Sequence, residues 1–213
     1  MCKRLFLLCL LLQATVSFAQ DGWKLSTTKN DIRVYTRPVA NSKIKAIKVE
    51  CSLPVRPSQL VYVIMDIDHG SEWVYHGKDA RILKRVSPSE LYYYSEVIVP
   101  WPCENREYVA HIMVNQNPKT KVVTVDAPCI LGMVPARKNI VRITHSVGKW
   151  IINPTENGAI KVSYELEVDP AGSVPAWLVN LFATQGPMET FEGLKVQLKK
   201  KDYKDVKLPF IVD

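Results

Sequence analysis

The sequence predicts an α+β domain in which a curved antiparallel sheet wraps around one long C-terminal helix, with an apolar space between them. Three observations lead there. Most of the 213 residues fall in short segments that alternate polar and apolar side chains, the period of half-buried strands. Few helical patterns interrupt those segments, so parallel β-α-β units are excluded and neighbouring strands run antiparallel. Residues 177–198 carry a wide aromatic stripe at helical spacing, which needs a large apolar surface to bury against. Many strands covered by a single aromatic helix are expected to enclose more volume than side chains fill, which makes an internal cavity or tunnel.

Residues 1–19 stand apart from this domain. Lys3-Arg4 form a short basic start, Leu5 to Leu12 an apolar run, and Ser17-Phe18-Ala19 a small-x-small cleavage site before Gln20. This is the pattern of a secretory signal peptide, too short to cross a bilayer. The expectation is a secreted or periplasmic protein whose mature chain begins near Gln20. After that point Ile32, Val34 and Thr36 oppose Arg33, Tyr35 and Arg37. Ile47, Val49, Cys51 and Leu53 oppose Lys48, Glu50 and Ser52, and each set fits a strand with one buried face. Pro54 and Pro57 end the run. A helix capped by Ser58 then extends to about Asp66, with Leu60, Val61, Ile64 and Met65 inward. Asp66 to Gly70 closes it, and Trp73 follows in an irregular segment. Strands resume at 81–86, 91–99, 107–115, 121–129, 139–152 and 159–168. The last alternates most clearly, with Ile160, Val162, Tyr164, Leu166 and Val168 on one face. Gly148 predicts a bulge in the long strand before it.

Asp169-Pro170-Ala171-Gly172 is turn chemistry. Ser173 then caps a helix, and Pro175 sits in its first turn, where a missing N–H costs nothing. Trp177, Leu178, Leu181, Phe182 and Gln185 form the first half of the stripe. Gly186-Pro187 breaks its phase, because proline removes a helical hydrogen bond. The stripe restarts at Met188, Phe191, Leu194 or Lys195, and Leu198, so one long kinked helix is expected. Residues 20–199 read as one domain and 200–213 as a basic tail.

The formal charge of +7 is partly in the leader and partly toward the C-terminus, at Lys195, Lys199, Lys200, Lys201, Lys204 and Lys207 against Asp202 and Asp205. A solvated, frayed helix end is the plain reading, and attraction to an anionic membrane surface the functional one. Secretion and the lack of basic-aromatic interleaving argue against nucleic acid. Cys51, Cys103 and Cys129 outlast the leader, too few for a disulfide framework, so buried free thiols are expected. No G-x-S-x-G elbow, H-E-x-x-H pair or phosphate-cradling glycine loop occurs. His69, His76, His111 and His145 do not combine with the cysteines at zinc-like spacing. The chain therefore reads as a monomer without metal, cofactor or catalytic group.

Several polar or aromatic residues ask for a role. Trp101, between two prolines in a loop, covers a cavity mouth or touches a membrane. Arg106, just after it, suits a clamp on several backbone carbonyls. Glu96 shares a face with Tyr92, Tyr94 and Ile98, and Arg142 with Ile140 and Thr144; each is either inside the cavity or exposed. His111 reads as a satisfied core histidine. Ile130 to Pro135 is a second lid or packs beneath the sheet edge.

Three patterns now coincide. They are Pro100-Trp101-Pro102-Cys103-Glu104-Asn105-Arg106-Glu107-Tyr108-Val109 between two strands, Gly148-Lys149-Trp150 inside a strand, and Asp169 to Asn180 opening the last helix. In this order and spacing the chain, from about Gln20 to Leu198, resembles the START family of StAR-related lipid transfer domains. The resemblance implies a helix-grip fold whose sheet and helix enclose a tunnel for one lipid-like molecule. It implies that Pro100 to Asn105 gates the tunnel beside the last helix, with Pro100, Pro102, Gly186 and Pro187 as gating residues. Tyr93, Trp101, Arg106, Ile112, Arg142, Trp177, Leu181 and Phe182 are the candidate ligand contacts. Arg106-Glu107 stands where the family usually has Arg-Asp, and Ala171 replaces a common glycine. Sterol-binding relatives place an Arg–Glu pair in the tunnel where this chain has Ile112 and Tyr93.

The expected activity is binding a hydrophobic small molecule or lipid and carrying it between membranes. The rival on the same scaffold is a cyclase- or hydrolase-like enzyme for small hydrophobic or aromatic substrates. Convergent groups with shifted pKa deep in the tunnel would mark the enzyme, and a smooth apolar lining the carrier. A ligand-gated module with a protein partner is the third reading.

Overall fold

The computed structural model describes residues 22–40, 45–172 and 175–213. The expected leader, residues 1–19, and the Ser173 cap lie outside the described residues. The chain forms β1 (Lys24–Lys29), β2 (Ile32–Pro38) and β3 (Lys45–Leu53), then helix α1 (Pro57–Met65) and a 3-10 segment, Ile67–Glu72. β4 (Gly77–Ser87), β5 (Glu90–Val97), β6 (Asn105–Gln116), β7 (Val123–Pro128), β8 (Ile140–Arg142), β9 (His145–Pro154) and β10 (Ile160–Asp169) follow. The C-terminal helix is α2 (Ala176–Asn180), a π segment (Leu181–Gln185) and α3 (Gly186–Gln197) in succession, with a short α4 (Lys201–Lys204) after it.

The strands make one ten-stranded curved sheet in the order β1-β2-β3-β10-β9-β7-β6-β5-β4, and the sheet is not closed. The two clearest alternating segments of the sequence are neighbours in it. Ile47 pairs with Leu166, Val49 with Tyr164, Cys51 with Val162 and Leu53 with Ile160, so two apolar faces merge into one concave surface. β1 and β4 are its free edges. β4 pairs with β5 through three register irregularities and carries Lys78, Arg81, Lys84 and Arg85.

Phe191 on α3 lies against that surface, with its ring centroid 5.4 Å from Trp150 and 6.0 Å from Tyr164. Gly193 brings the helix closest to the chain before β4: a Cβ there would stand 2.7 Å from the Trp73 carbonyl oxygen. The helix is continuous through Gly186-Pro187, and the break takes the form of a π segment instead of a sharp kink. Widening the helix by one residue before proline accommodates its missing N–H and the crowding of its ring against the preceding turn.

Several local expectations change. Gly148 pairs regularly with both Ala127 and Leu166, so no bulge forms there. The expected long strand 139–152 is two strands, and β8 is the one parallel neighbour, beside the start of β6. β1 carries no alternation and was not expected. α1 begins one residue before Ser58, and Ser58 does not cap it. The Ser58 N–H and Oγ instead donate to the Asp213 carboxylate at 2.8 and 2.6 Å. Residues 200–213 are accordingly packed, not frayed: Tyr203 and Ile211 are buried, and the Tyr203 hydroxyl donates to Asp66 at 2.8 Å. Among the described residues, no helix is long and apolar enough to cross a membrane.

Candidate functional site

A cavity of about 260 Å³ lies between the concave face and the last helix. β10 contributes Tyr164, Leu166 and Val168, the inward face that its alternation predicted. β9 contributes Ser146, Gly148 and Trp150, and β7 contributes Ala127. The helix adds Val179, Phe182, Ala183, Gly186, Pro187 and Phe191, while Trp73, Val74 and Tyr75 close a further side. The space exists because several of the residues facing it are small. Ala127 and Gly148 are direct cross-strand partners with Ser146 two residues away, and Ala183 and Gly186 sit on the helix opposite. At Gly148 a Cβ would meet only ordinary contacts, 3.6 Å from the Ala127 carbonyl and the Tyr164 hydroxyl.

The lining is mostly apolar, and its polar members are unevenly chosen. Among the described residues it contains Lys45 and Arg106 but no carboxylate, histidine or cysteine. Burial holds the Tyr164 phenol well above its ordinary pKa, so it stays protonated. Tyr93 lies behind Tyr108, whose ring it meets edge-on at 5.9 Å; burial, then that neighbour, raise its pKa too.

Arg106 is 3% exposed and holds both the expected gating loop and the turn that precedes the last helix. Its Nε donates to Pro170 O at 3.2 Å and its Nη2 to Ala171 O at 3.4 Å, in the turn that leads to α2. Its Nη1 donates to Glu104 O at 2.5 Å, in the Pro100–Asn105 loop. The clamp read from the motif is therefore present, and it ties loop and helix entry to β6. In that loop the Trp101–Pro102 peptide is cis, and Trp101 is 90% exposed. Trp101 does not line the cavity.

The structure brings Arg106, Phe182, Gly186 and Pro187 to the cavity and places the other candidates elsewhere. Ile112 is buried in the core on the same face of β6, farther along the strand. Trp177 is exposed, and with Leu181 it lines a separate surface cleft beside Thr27 and Lys29 of β1. The π segment explains this change, since inserting a residue rotates everything before it relative to α3. Arg142 is neither in the cavity nor exposed. Its Nη2 donates to Glu107 at 2.7 Å on the convex face of the sheet, and its Nη1 and Nη2 also hold the carbonyls of Val134 and Pro135.

That convex cluster was not visible in the sequence. Glu96 and Glu107 are cross-strand partners, 1% and 0% exposed. Arg137 forms ion pairs with both, Lys78 pairs with Glu96 at 3.0 Å, and the Tyr94 hydroxyl donates to Glu107 at 2.9 Å. Burial would raise both carboxyls. The donated hydrogen bonds, from Asn105, Lys78 and Arg137 to Glu96 and from Arg142, Arg137 and Tyr94 to Glu107, outweigh it and hold both below the usual range. The cluster pins residues 130–139 to the sheet, leaving Leu131 and Met133 exposed at the loop tip. His111 also lies on this face, bonded to Glu90 at 2.7 Å and stacked on Tyr92. Cys51, Cys103 and Cys129 are free thiols.

Residues 9–202 match the family model described as the START domain. A solved STAR-related lipid transfer protein fragment from Xanthomonas axonopodis is 29% identical, with a TM-score of 0.77 over 84% of this chain and 100% of that one. An uncharacterized protein of Pseudomonas aeruginosa is 27% identical over 187 residues, 85% of this chain and 89% of its own. Phosphatidylcholine transfer protein of Mus musculus is 25% identical over 171 residues, 77% of this chain and 78% of its own.

Proposed function

The chain belongs to the START domain family, and from that premise we propose that it binds a lipid-like molecule in this cavity and carries it between membranes. The observation that carries the reading is the lining: an apolar, aromatic space between sheet and helix, in which the described residues include no carboxylate, histidine or cysteine. Removing a hydrophobe from water there is worth about 25 cal/mol per Å² buried. The names of its relatives, a lipid transfer protein and a phosphatidylcholine transfer protein, support the same reading. Native mass spectrometry of the purified protein, followed by lipid extraction, tests it. A bound hydrophobe of defined mass is expected; a protein that neither retains nor accepts any hydrophobe overturns it.

Membrane contact is assigned to the end of the sheet where the Trp101 loop and residues 130–139 meet. Exposed Trp101, Leu131 and Met133 support this choice. The lysines of residues 199–207 lie at the other end, beside α1, where the Gln59 amide donates to Leu198 O at 2.8 Å. Trp101→Ala is expected to leave the melting temperature unchanged and to weaken binding to phospholipid vesicles severalfold. Unchanged vesicle binding places the contact elsewhere. The leader pattern of residues 1–19 supports a protein exported to the periplasm or the extracellular space. N-terminal sequencing of the native protein should begin near Gln20, and Met1 on the exported species would refute export by cleavage.

A further inference from the structure

Three charged side chains are buried among the described residues: Glu96, Arg106 and Glu107. The two glutamates each have cationic partners on the convex face. Arg106 has none. All three of its described hydrogen bonds go to backbone carbonyls, so among the described residues one N–H on each terminal nitrogen has no acceptor and the positive charge has no counter-ion. An uncompensated charge out of water is costly, and elsewhere this molecule avoids that cost. Arg106 lines the cavity, and Lys45 lines it from the start of β3, at the same end of the sheet. Trp73, also in the lining, has an indole N–H buried without an acceptor. The charged side chains described in the lining, Lys45 and Arg106, are therefore both cationic. What is missing is an anionic acceptor.

Size narrows the answer. The space is about 260 Å³, less than twice the roughly 150 Å³ cavity that takes a single benzene ring. It suits one short chain and not two side by side.

We propose that the ligand is a single-chain amphiphile with an anionic head group, carboxylate or phosphate, whose head meets Arg106 and whose chain runs between Gly148 and Phe182. This rests on the carrier reading above and specifies its ligand. The head group would complete the guanidinium that already holds Glu104, Pro170 and Ala171, so the charge that selects the ligand also fastens the loop and the helix entry over it.

The test is titration of the purified protein at pH 8 with decanoate, decyl phosphate, decan-1-ol and methyl decanoate, each below its aggregation limit. At least one anion is expected to bind about tenfold or more tighter than either neutral analogue, the gain of a charge-assisted hydrogen bond in a dry site. Whichever anion binds tighter identifies carboxylate or phosphate as the head group. Arg106→Lys is expected to keep the preference, and Arg106→Gln to abolish it while still binding decan-1-ol. Because Arg106→Gln removes three carbonyl bonds and can fail to fold, a second measurement uses the wild type alone. Preference arising at buried Arg106 persists at about 0.5 M NaCl, whereas preference arising at exposed lysines collapses there. Equal binding of anions and neutral analogues, or a preference that salt removes, overturns the anionic assignment and leaves the carrier reading standing. Binding of none of the four overturns both.

Discussion

Glu107 carries more of the stability than its place in a motif suggests. Its carboxylate is wholly buried and accepts from Tyr94, Arg137 and Arg142. Glu107→Gln leaves Arg142 without its counter-ion and Arg137 with Glu96 alone, and removing one partner of a buried pair costs about 3–5 kcal/mol. Urea melts should show that loss, with cavity binding intact, because Glu107 faces away from the cavity. The pH dependence has a definite sign. Glu96 and Glu107 have folded pKa values below their unfolded ones, so they stabilise fully above about pH 4.3. That contribution is lost as pH falls through the folded values. Wild type should weaken as pH falls below about 4.3, and Glu107→Gln should weaken less over the same range. A wild-type urea midpoint indifferent to acid would contradict this. Arg106 was legible as a clamp because its acceptors lie in the two segments its motif flanks or faces. The pairing of Arg142 with Glu107 was not, since periodicity within either strand says only which side a residue faces, not what covers that side.

The C-terminal helix shows a similar division. Its apolar residues after Pro187 were readable from spacing, and Met188, Phe191, Leu194 and Leu198 are all buried. Before Pro187 the reading failed for Trp177, because a π segment shifts the phase by an amount that proline alone does not announce. β1 was missed for a plainer reason: Lys24–Lys29 pairs only as an edge and buries none of its residues fully, so no alternation marks it. Gly193 tests how tightly the helix is seated. On propensity alone, Gly193→Ala should stabilise by about 1 kcal/mol. A Cβ 2.7 Å from the Trp73 carbonyl and 3.1 Å from its Cα forces backbone to move. Overpacking costs about 1–3 kcal/mol, so the expected net effect is destabilising, with a lower denaturation midpoint. A stabilised variant would mean the helix stands farther from Trp73 than described.

At the scale of the whole molecule, a curved sheet gripping a helix was legible, and the dimensions of the space between them were not. A cavity is set by side chains that are absent, and small residues such as Ala127, Ser146, Gly148, Ala183 and Gly186 attract no notice until the fold brings them face to face. Gly148→Leu uses that arrangement. Its Cβ has room, and the rest of the side chain takes ligand space, so the variant should fold with stability equal to or above wild type and lose hydrophobe binding. Gly148→Ala should retain most of it. If Gly148→Leu binds as wild type does, the ligand occupies a different part of the molecule.

The free edge at β4 bears on how the protein behaves when it is crowded. An open sheet offers unpaired N–H and C=O groups to any other strand, and the other copies of this chain present the same offer. Three register irregularities bend β4 out of a straight template, and Lys78, Arg81, Lys84 and Arg85 make like-charged neighbours of two copies laid edge to edge. These features keep an exposed sheet from nucleating aggregates, a task separate from holding a ligand. Replacing Lys84 and Arg85 together with valine should leave the monomer folded, and turn a clear concentrated solution into one that scatters light within hours.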